Sequence, residues 1–270
     1  MLCHWDVEMF ICSLTSFFYH LGRQLPVYVV DDGSLTPADT RLLKQFFIIT
    51  IESRQSADIK MARKLARYKH FYAYRFSDNS IIFKLMFDAL ILSPFSKYFL
   101  LDADILFLAK PQELLDWLDS PKAICCYASL TREYQRQLTA SGEYPMIPFR
   151  TLLLKYLKLQ GDPFVILSLL GINTKAVLNL REIDRLFGLL SQVGYLSNRH
   201  VDEAIVATLL ARKKAILLDP TKYYNAVAGG GIKVPPLPPE PVFIHFPGES
   251  KPQFWRHALG EIMRTRAFRL

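Results

Sequence analysis

Asp102-Ala103-Asp104 follows the apolar run Tyr98–Leu101, and residues two apart on an extended chain point the same way, so both carboxylates can converge on one cation. Hard divalent metals take carboxylate oxygen, often from one or two side chains completed by substrate phosphates, and a diphosphate leaving group would supply those. A triplet of this kind arises by chance about once in a chain of this size, so its meaning depends on what else the chain brings. Val242-Phe-Ile-His245-Phe-Pro-Gly248-Glu-Ser-Lys251-Pro252 brings an apolar strand that delivers a histidine just ahead of a glycine turn and a lysine. A neutral imidazole at His245 could complete the metal site; the bland alternative is a core histidine bonded to backbone. Mixed nitrogen and oxygen ligation suits Mn2+ better than Mg2+. Gly248 permits close backbone approach to phosphate, and Lys251 adds a positive charge there.

Two further acidic pairs have the right chemistry. Asp31-Asp32-Gly33-Ser34 follows the apolar run Leu25–Asp31 and is either a hydrogen-bonded turn or a ribose- or base-binding edge at a strand end. Asp202 and Glu203 lie in the first turn of a helix, where the dipole favours acids whatever their use. Facing an anomeric carbon, either could steady an oxocarbenium-like sugar or act as nucleophile; facing an acceptor hydroxyl, either could be a general base.

The elements that must position these residues alternate. Phe10, Leu14, Phe17 and Leu21 recur at helical spacing before Gly22, a C-terminal stop. Leu25–Asp31 is a buried strand, and Thr36, Pro37 and Asp39 open a capped helix. Strands at Phe47–Ile51 and Tyr98–Leu101 flank helices near Lys60–His70 and Ile81–Leu92. Beyond them come a strand at Pro163–Ile172, a helix at Arg181–Val193, an amphipathic helix at Val201–Ala211 and a short strand at Ala215–Leu218. Gly229–Gly231 and Pro235–Pro241 read as loop. This alternation predicts an α/β fold with a mainly parallel central sheet covered by helices on both faces, in which ligands sit beyond the carboxyl ends of the strands. We expect one domain over residues 1–270, with 129–160 as an insertion closing over the sheet.

Composition narrows the class of protein. With 51% hydrophobic and 21% charged residues in 270, the chain can bury a large core and is not disordered. Its 33 Lys and Arg against 25 Asp and Glu give a net charge of +8, compatible with nucleic acid, an anionic membrane surface or a phosphorylated substrate. No zinc-finger, helix-turn-helix or aromatic RNA-binding signature accompanies the charge, which argues against nucleic acid. Cys3, Cys12, Cys125 and Cys126 form no metal or disulfide framework and read as reduced thiols. No apolar run reaches the ~18 residues of a membrane span, and the N-terminus lacks a signal pattern. The expectation is a cytoplasmic enzyme, with peripheral membrane contact compatible with its charge.

Four separated motifs together resemble the glycosyltransferases of the GT-A fold, especially the retaining family that includes glycogenin and bacterial galactosyltransferases. They are Val29-Val-Asp31-Asp32-Gly-Ser, Tyr98-Phe-Leu-Leu-Asp102-Ala-Asp104-Ile, His200-Val-Asp202-Glu203-Ala and Ile244-His245-Phe-Pro-Gly248-Glu-Ser-Lys251-Pro252. The resemblance implies a GT-A, Rossmann-like single domain that moves a hexose from a nucleotide diphosphate sugar, typically a UDP-sugar, to a saccharide, lipid or protein acceptor with retention. It implies that Asp102, Asp104 and His245 hold Mn2+ or Mg2+, that Gly248 and Lys251 contact the diphosphate, and that Asp31 or Asp32 touches the nucleoside. It also implies a place near the donor for Lys84, whose bland reading is a solvated helix lysine. Three departures stand out. The chain opens at Met1-Leu-Cys-His, where the family has a fuller first strand. Ser168-Leu169-Leu170-Gly171 replaces an Asn-Ser-Gly strand. Glu203 replaces a glutamine, and a carboxylate there opens other mechanisms; an inverting outcome stays open beside retention because Asp31-Asp32-Gly33-Ser34 is also frequent in inverting transferases of the fold, and the first two departures leave open donor binding without turnover.

Overall fold

The computed structural model describes residues 1–77, 82–141, 146–196, 201–213, 215–226 and 237–265. Its first helix, α1 (Val7–Leu21), buries Phe10, Leu14, Phe17 and Leu21 on one side and stops at Gly22, whose φ of 75° is a left-handed cap. β1 (Val27–Val30) follows, then α2 (Pro37–Phe46). The start of α2 is fixed by a reciprocal capping box in which the Thr36 side chain accepts from the Asp39 N–H and the Asp39 carboxylate accepts from the Thr36 N–H. β2 (Ile49–Glu52) pairs in parallel with β1. The helix expected near residues 60–70 is two, α3 (Arg54–Leu65) and α4 (Lys69–Phe76), broken at 66–68. A 3-10 turn (Ile82–Leu85) leads into α5 (Met86–Leu92), so Lys84 precedes the α-helix instead of riding on it.

The central strands are β3 (Lys97–Leu101), β4 (Ile105–Phe107), β5 (Cys125–Ser129) and β6 (Val165–Asn173), with α6 (Gln112–Asp119), α7 (Arg132–Ser141) and α8 (Met146–Tyr156) between them. After β6 come α9 (Thr174–Val177), α10 (Leu180–Gln192), α11 (Val201–Arg212), β7 (Ile216–Leu217), β8 (Tyr223–Asn225), β9 (Phe243–His245) and α12 (Lys251–Thr265). Residues 229–231 and 235–236 of the expected loop lie outside the described residues. The region expected as an insertion carries α7 and α8.

The strands assemble as β1-β2, β3-β6-β5-β7 and β4-β9-β8. The class is α/β, but the pairing is mixed: β3 with β6, β5 with β6 and β4 with β9 run antiparallel, while the β1–β2, β5–β7 and β8–β9 pairs are parallel. A fully buried strand is a near-continuous apolar run in either direction, so composition could not distinguish the two.

Helices cover both faces of the central sheet, as expected. Successive strand side chains point to opposite faces, and here Cys125 and Tyr127 pack with α4, α10 and α11, whereas Cys126 and Ala128 pack with α1 and α6. Phe187 of α10 stacks on Phe71 and Tyr74 at centroid distances of 4.7 and 4.4 Å, clamping α10 to α4. α11, expected to be amphipathic, is instead buried on nearly all sides, from Val201 to Leu210. Between β1 and β3 the sheet is interrupted by a largely apolar cleft lined by Val27, Val29, Phe99 and Leu101 with α1 residues such as Phe17. Leu2 alone bridges in parallel to Asp31 at its edge, its N–H bonding Val30 O and its carbonyl accepting from Asp32 N. No helix among the described residues is long and apolar enough to cross a membrane.

Candidate metal centre

β3 ends at Leu101 and β4 begins at Ile105, so Asp102 and Asp104 sit in the turn that transfers the chain from one sheet to the other. The turn is pinned at both ends: Asp102 N–H donates to Ser168 O on β6 (2.9 Å), and Asp104 O accepts from Phe246 N (2.9 Å). His245 closes the arrangement because β9 lies beside β4, with Ile105 opposite His245. His245 Nε2 is 3.2 Å from Asp104 Oδ1 and 3.6 Å from Asp102 Oδ2. The three side chains thus bring one ligand atom each within 4.8 Å of one another.

What orients the imidazole comes from residues that sequence reasoning missed. Asn225 on β8 stands opposite His245, and its Oδ1 lies 2.9 Å from His245 Nδ1. Asn225 Nδ2 must donate to Ser129 O (3.0 Å), while Oδ1 accepts from Ser168 Oγ (3.0 Å). With its oxygen so assigned, Asn225 makes Nδ1 of the histidine a protonated nitrogen and leaves Nε2 as the nitrogen that faces the two acids. In the sequence Ser168 marks only a departure from a family pattern, and Asn225 carries no motif of its own.

Electrostatics fit a cation between these groups. Desolvation and the charge of Asp104 both push Asp102 upward, to about 6; with half of its side-chain surface open to solvent, the neighbouring charge is the cause that survives. Burial opposes ionisation of Asp104, yet the His245 charge and hydrogen bond, with Lys251, hold it below the usual carboxylate range. Burial likewise opposes protonation of His245, and the two carboxylates overcome it and raise its pKa. Two carboxylate oxygens and a fixed imidazole nitrogen form a donor set that fits Mn2+ or Mg2+.

Lys251, the first residue of α12, places Nζ 3.9 Å from Asp104 Oδ2 and 3.0 Å from Asp6 Oδ1. Gly248 adopts φ 55° in the preceding turn, and a Cβ there would meet no atom within 4 Å. The glycine is therefore required by backbone conformation, and the space beside it is open.

The two acids of α11 part company. Asp202 is buried, and its Oδ1 has no hydrogen-bond partner among the described residues. Desolvation pushes it up to about 7 against the Arg150 charge, and the Asp102 carboxylate adds to the rise, so it lies within electrostatic reach of Asp102. Glu203, expected beside it in the chemistry, instead forms an ion pair with the buried guanidinium of Arg150, which also donates to Pro163 O and Val165 O at 3.0 Å. Its carboxylate holds α8 to α11.

Asp31 and Asp32 close their own turn. Asp31 Oδ1 accepts from Gly33 N (2.7 Å) and Leu35 N (3.1 Å), and Asp32 Oδ1 accepts from Ser34 N (2.9 Å) and Ser34 Oγ (2.6 Å). They are joined to the group of Asp102, Asp104 and His245 by the segment from Leu2 to Asp6, since His4 N donates to Ser34 Oγ (2.9 Å) and Asp6 reaches Lys251. Lys84 is not a solvated helix lysine: it is buried, donates to Ser77 O (3.0 Å) and Oγ (2.5 Å), and lies 5.7 Å from the Tyr74 ring centroid. Burial pushes the Tyr74 hydroxyl up, and the charge of Asp202 adds to the rise.

No protein-family model and no curated protein sequence matches the chain. Among solved structures it is similar to mouse xyloside xylosyltransferase 1 in its apo form, with a TM-score of 0.56 and 14% identity over 91% of this chain and 93% of that one. The likeness is one of fold, and it covers almost the whole described architecture. The chain has the GT-A, Rossmann-like α/β fold.

Proposed function

We propose that the chain is a metal-dependent glycosyltransferase that transfers a hexose from a nucleotide diphosphate sugar, a UDP-sugar by preference, to a saccharide, lipid or protein acceptor with retention. The observation that carries the reading is the convergence of Asp102, Asp104 and His245 at strand ends beneath Lys251, in a fold that a xylosyltransferase shares. Asp102, Asp104 and His245 would hold Mn2+ or Mg2+, whose chemistry when bound is Lewis-acid stabilisation of the diphosphate oxygens. Lys251 and the N-terminal turn of α12 present positive charge to the leaving diphosphate, where charge grows as the sugar–phosphate bond breaks. Gly248 leaves the room for that approach.

Asp202, with one oxygen unpartnered among the described residues, would steady the cationic sugar or attack it; Glu203 pairs with Arg150 and positions the helix that carries Asp202. Asp31 or Asp32 contributes its second carboxylate oxygen to the nucleoside, and Lys84 brings a positive charge near the donor. Asn225 and Ser168 keep the imidazole aimed.

Purified protein with Mn2+ and a panel of UDP-sugars should release nucleotide, and Asp104→Ala should abolish the release; full turnover in excess chelator would contradict the reading. The anomeric configuration of the product, read by NMR, separates retention from inversion. A nucleotide-sugar-binding protein without turnover is the second reading, favoured by the loss of Glu203 to an ion pair, and calorimetry showing donor binding with no transfer to any acceptor would select it.

A further inference from the structure

We propose that Asp6 is a positioning residue that holds Lys251 off the cation cluster and so keeps Asp104 free to bind metal. The inference rests on the metal-centre reading above. Asp104 divides its two oxygens: Oδ1 faces His245 Nε2 at 3.2 Å, and Oδ2 faces Lys251 Nζ at 3.9 Å. The ammonium stops short of contact with Asp104 because Asp6 Oδ1 holds it at 3.0 Å. A lysine on a flexible four-carbon stem, released from that hold, finds Asp104 as its nearest carboxylate and closes on it. It would then neutralise one ligand and repel a divalent ion at the same place.

Asp6 is well anchored for this duty. Its Oδ2 accepts from Cys3 Sγ at 3.3 Å and its N–H donates to Cys3 O at 3.2 Å, while neighbouring Leu2 is bonded to Val30 and Asp32 at the end of β1. Both Asp6 and Lys251 keep part of their side chains in water, with 29% and 38% of their surface exposed. An ion pair so exposed adds little to folding stability, so its consequence lies in where it leaves the ammonium.

The test is a double-mutant cycle on Mn2+ affinity, measured by electron paramagnetic resonance or calorimetry without donor, with thermal melting to check that each variant is folded. Asp6→Asn should weaken Mn2+ binding roughly tenfold, and Lys251→Met should strengthen it severalfold. In the Lys251→Met background, Asp6→Asn should change affinity less than about twofold, and Asp6→Glu should restore most of the loss in the native background. An equal loss in both backgrounds would show that Asp6 acts only as a distant charge and would overturn the proposal, as would no loss at all. If the unsubstituted protein fails to bind Mn2+, the metal-centre reading itself falls, an outcome distinct from either.

Discussion

Asp102 and Asp104 at the head of β4, and Asp202 and Glu203 at the head of α11, are acidic pairs of similar look and opposite fate. The first pair converges because a tight turn between two strands aims both acids at an imidazole delivered by a third. The second pair diverges because neighbouring helix positions point about 100° apart: Glu203 meets a buried arginine, and Asp202 is buried with its Oδ1 lacking a hydrogen-bond partner among the described residues. An acid's chemistry is thus settled by the counter-charge that packing supplies, and spacing along the chain only sets which acids can cooperate.

Four substitutions break or sharpen that contrast. The largest effect belongs to Asp104→Ala, which should abolish Mn2+ binding in calorimetry and lower nucleotide release by 1,000-fold or more, on the order of 4 kcal/mol. Asp202→Asn should lower kcat roughly 100- to 1,000-fold with donor binding little changed. The same Asp202 change has a stability signature. Its folded pKa of about 7 exceeds the unfolded value, so the folded state binds more protons between about pH 4 and 7, and stability falls as pH rises through that window. Metal-free Asp202→Asn should therefore outlast the native protein in urea at pH 8, by as much as about 4 kcal/mol, and lose that advantage near pH 4.

Glu203→Gln should do the reverse. It removes the charge paired with the buried Arg150 guanidinium, which costs about 3 kcal/mol of stability at neutral pH, while kcat of the folded fraction changes only a few-fold. A collapse of kcat with stability intact would return Glu203 to the chemistry. The smallest effect is at Asn225→Ala, where loss of the imidazole's orienting partner should weaken Mn2+ affinity about tenfold, measured by the same titration.

Much of this site was legible in the sequence for a local reason. Asp102, Asp104 and His245 each follow an apolar strand, and α/β folds gather such strand ends on one edge. The capping box at Thr36 and the stop at Gly22 are short-range chemistry and were equally readable. What escaped depends on partners distant in sequence. The antiparallel β3–β6 pairing has no local mark, because a doubly buried strand is apolar in either direction. Arg150, which captures Glu203, stands in a segment without clear periodicity, and Asn225 gains its meaning only when β8 lies against β9. Lys84 shows the same dependence: its solvation is not written in local sequence, and the fold buries it against Ser77 and Tyr74.

The most direct test of the account is anomalous diffraction, at the manganese edge, from crystals grown with Mn2+ and a nucleoside diphosphate. The account predicts one peak within bonding distance of Asp102, Asp104 and His245 and of the diphosphate oxygens, with Lys251 on the same phosphates. A manganese peak elsewhere, or a nucleotide bound with these three side chains uncoordinated, would contradict it.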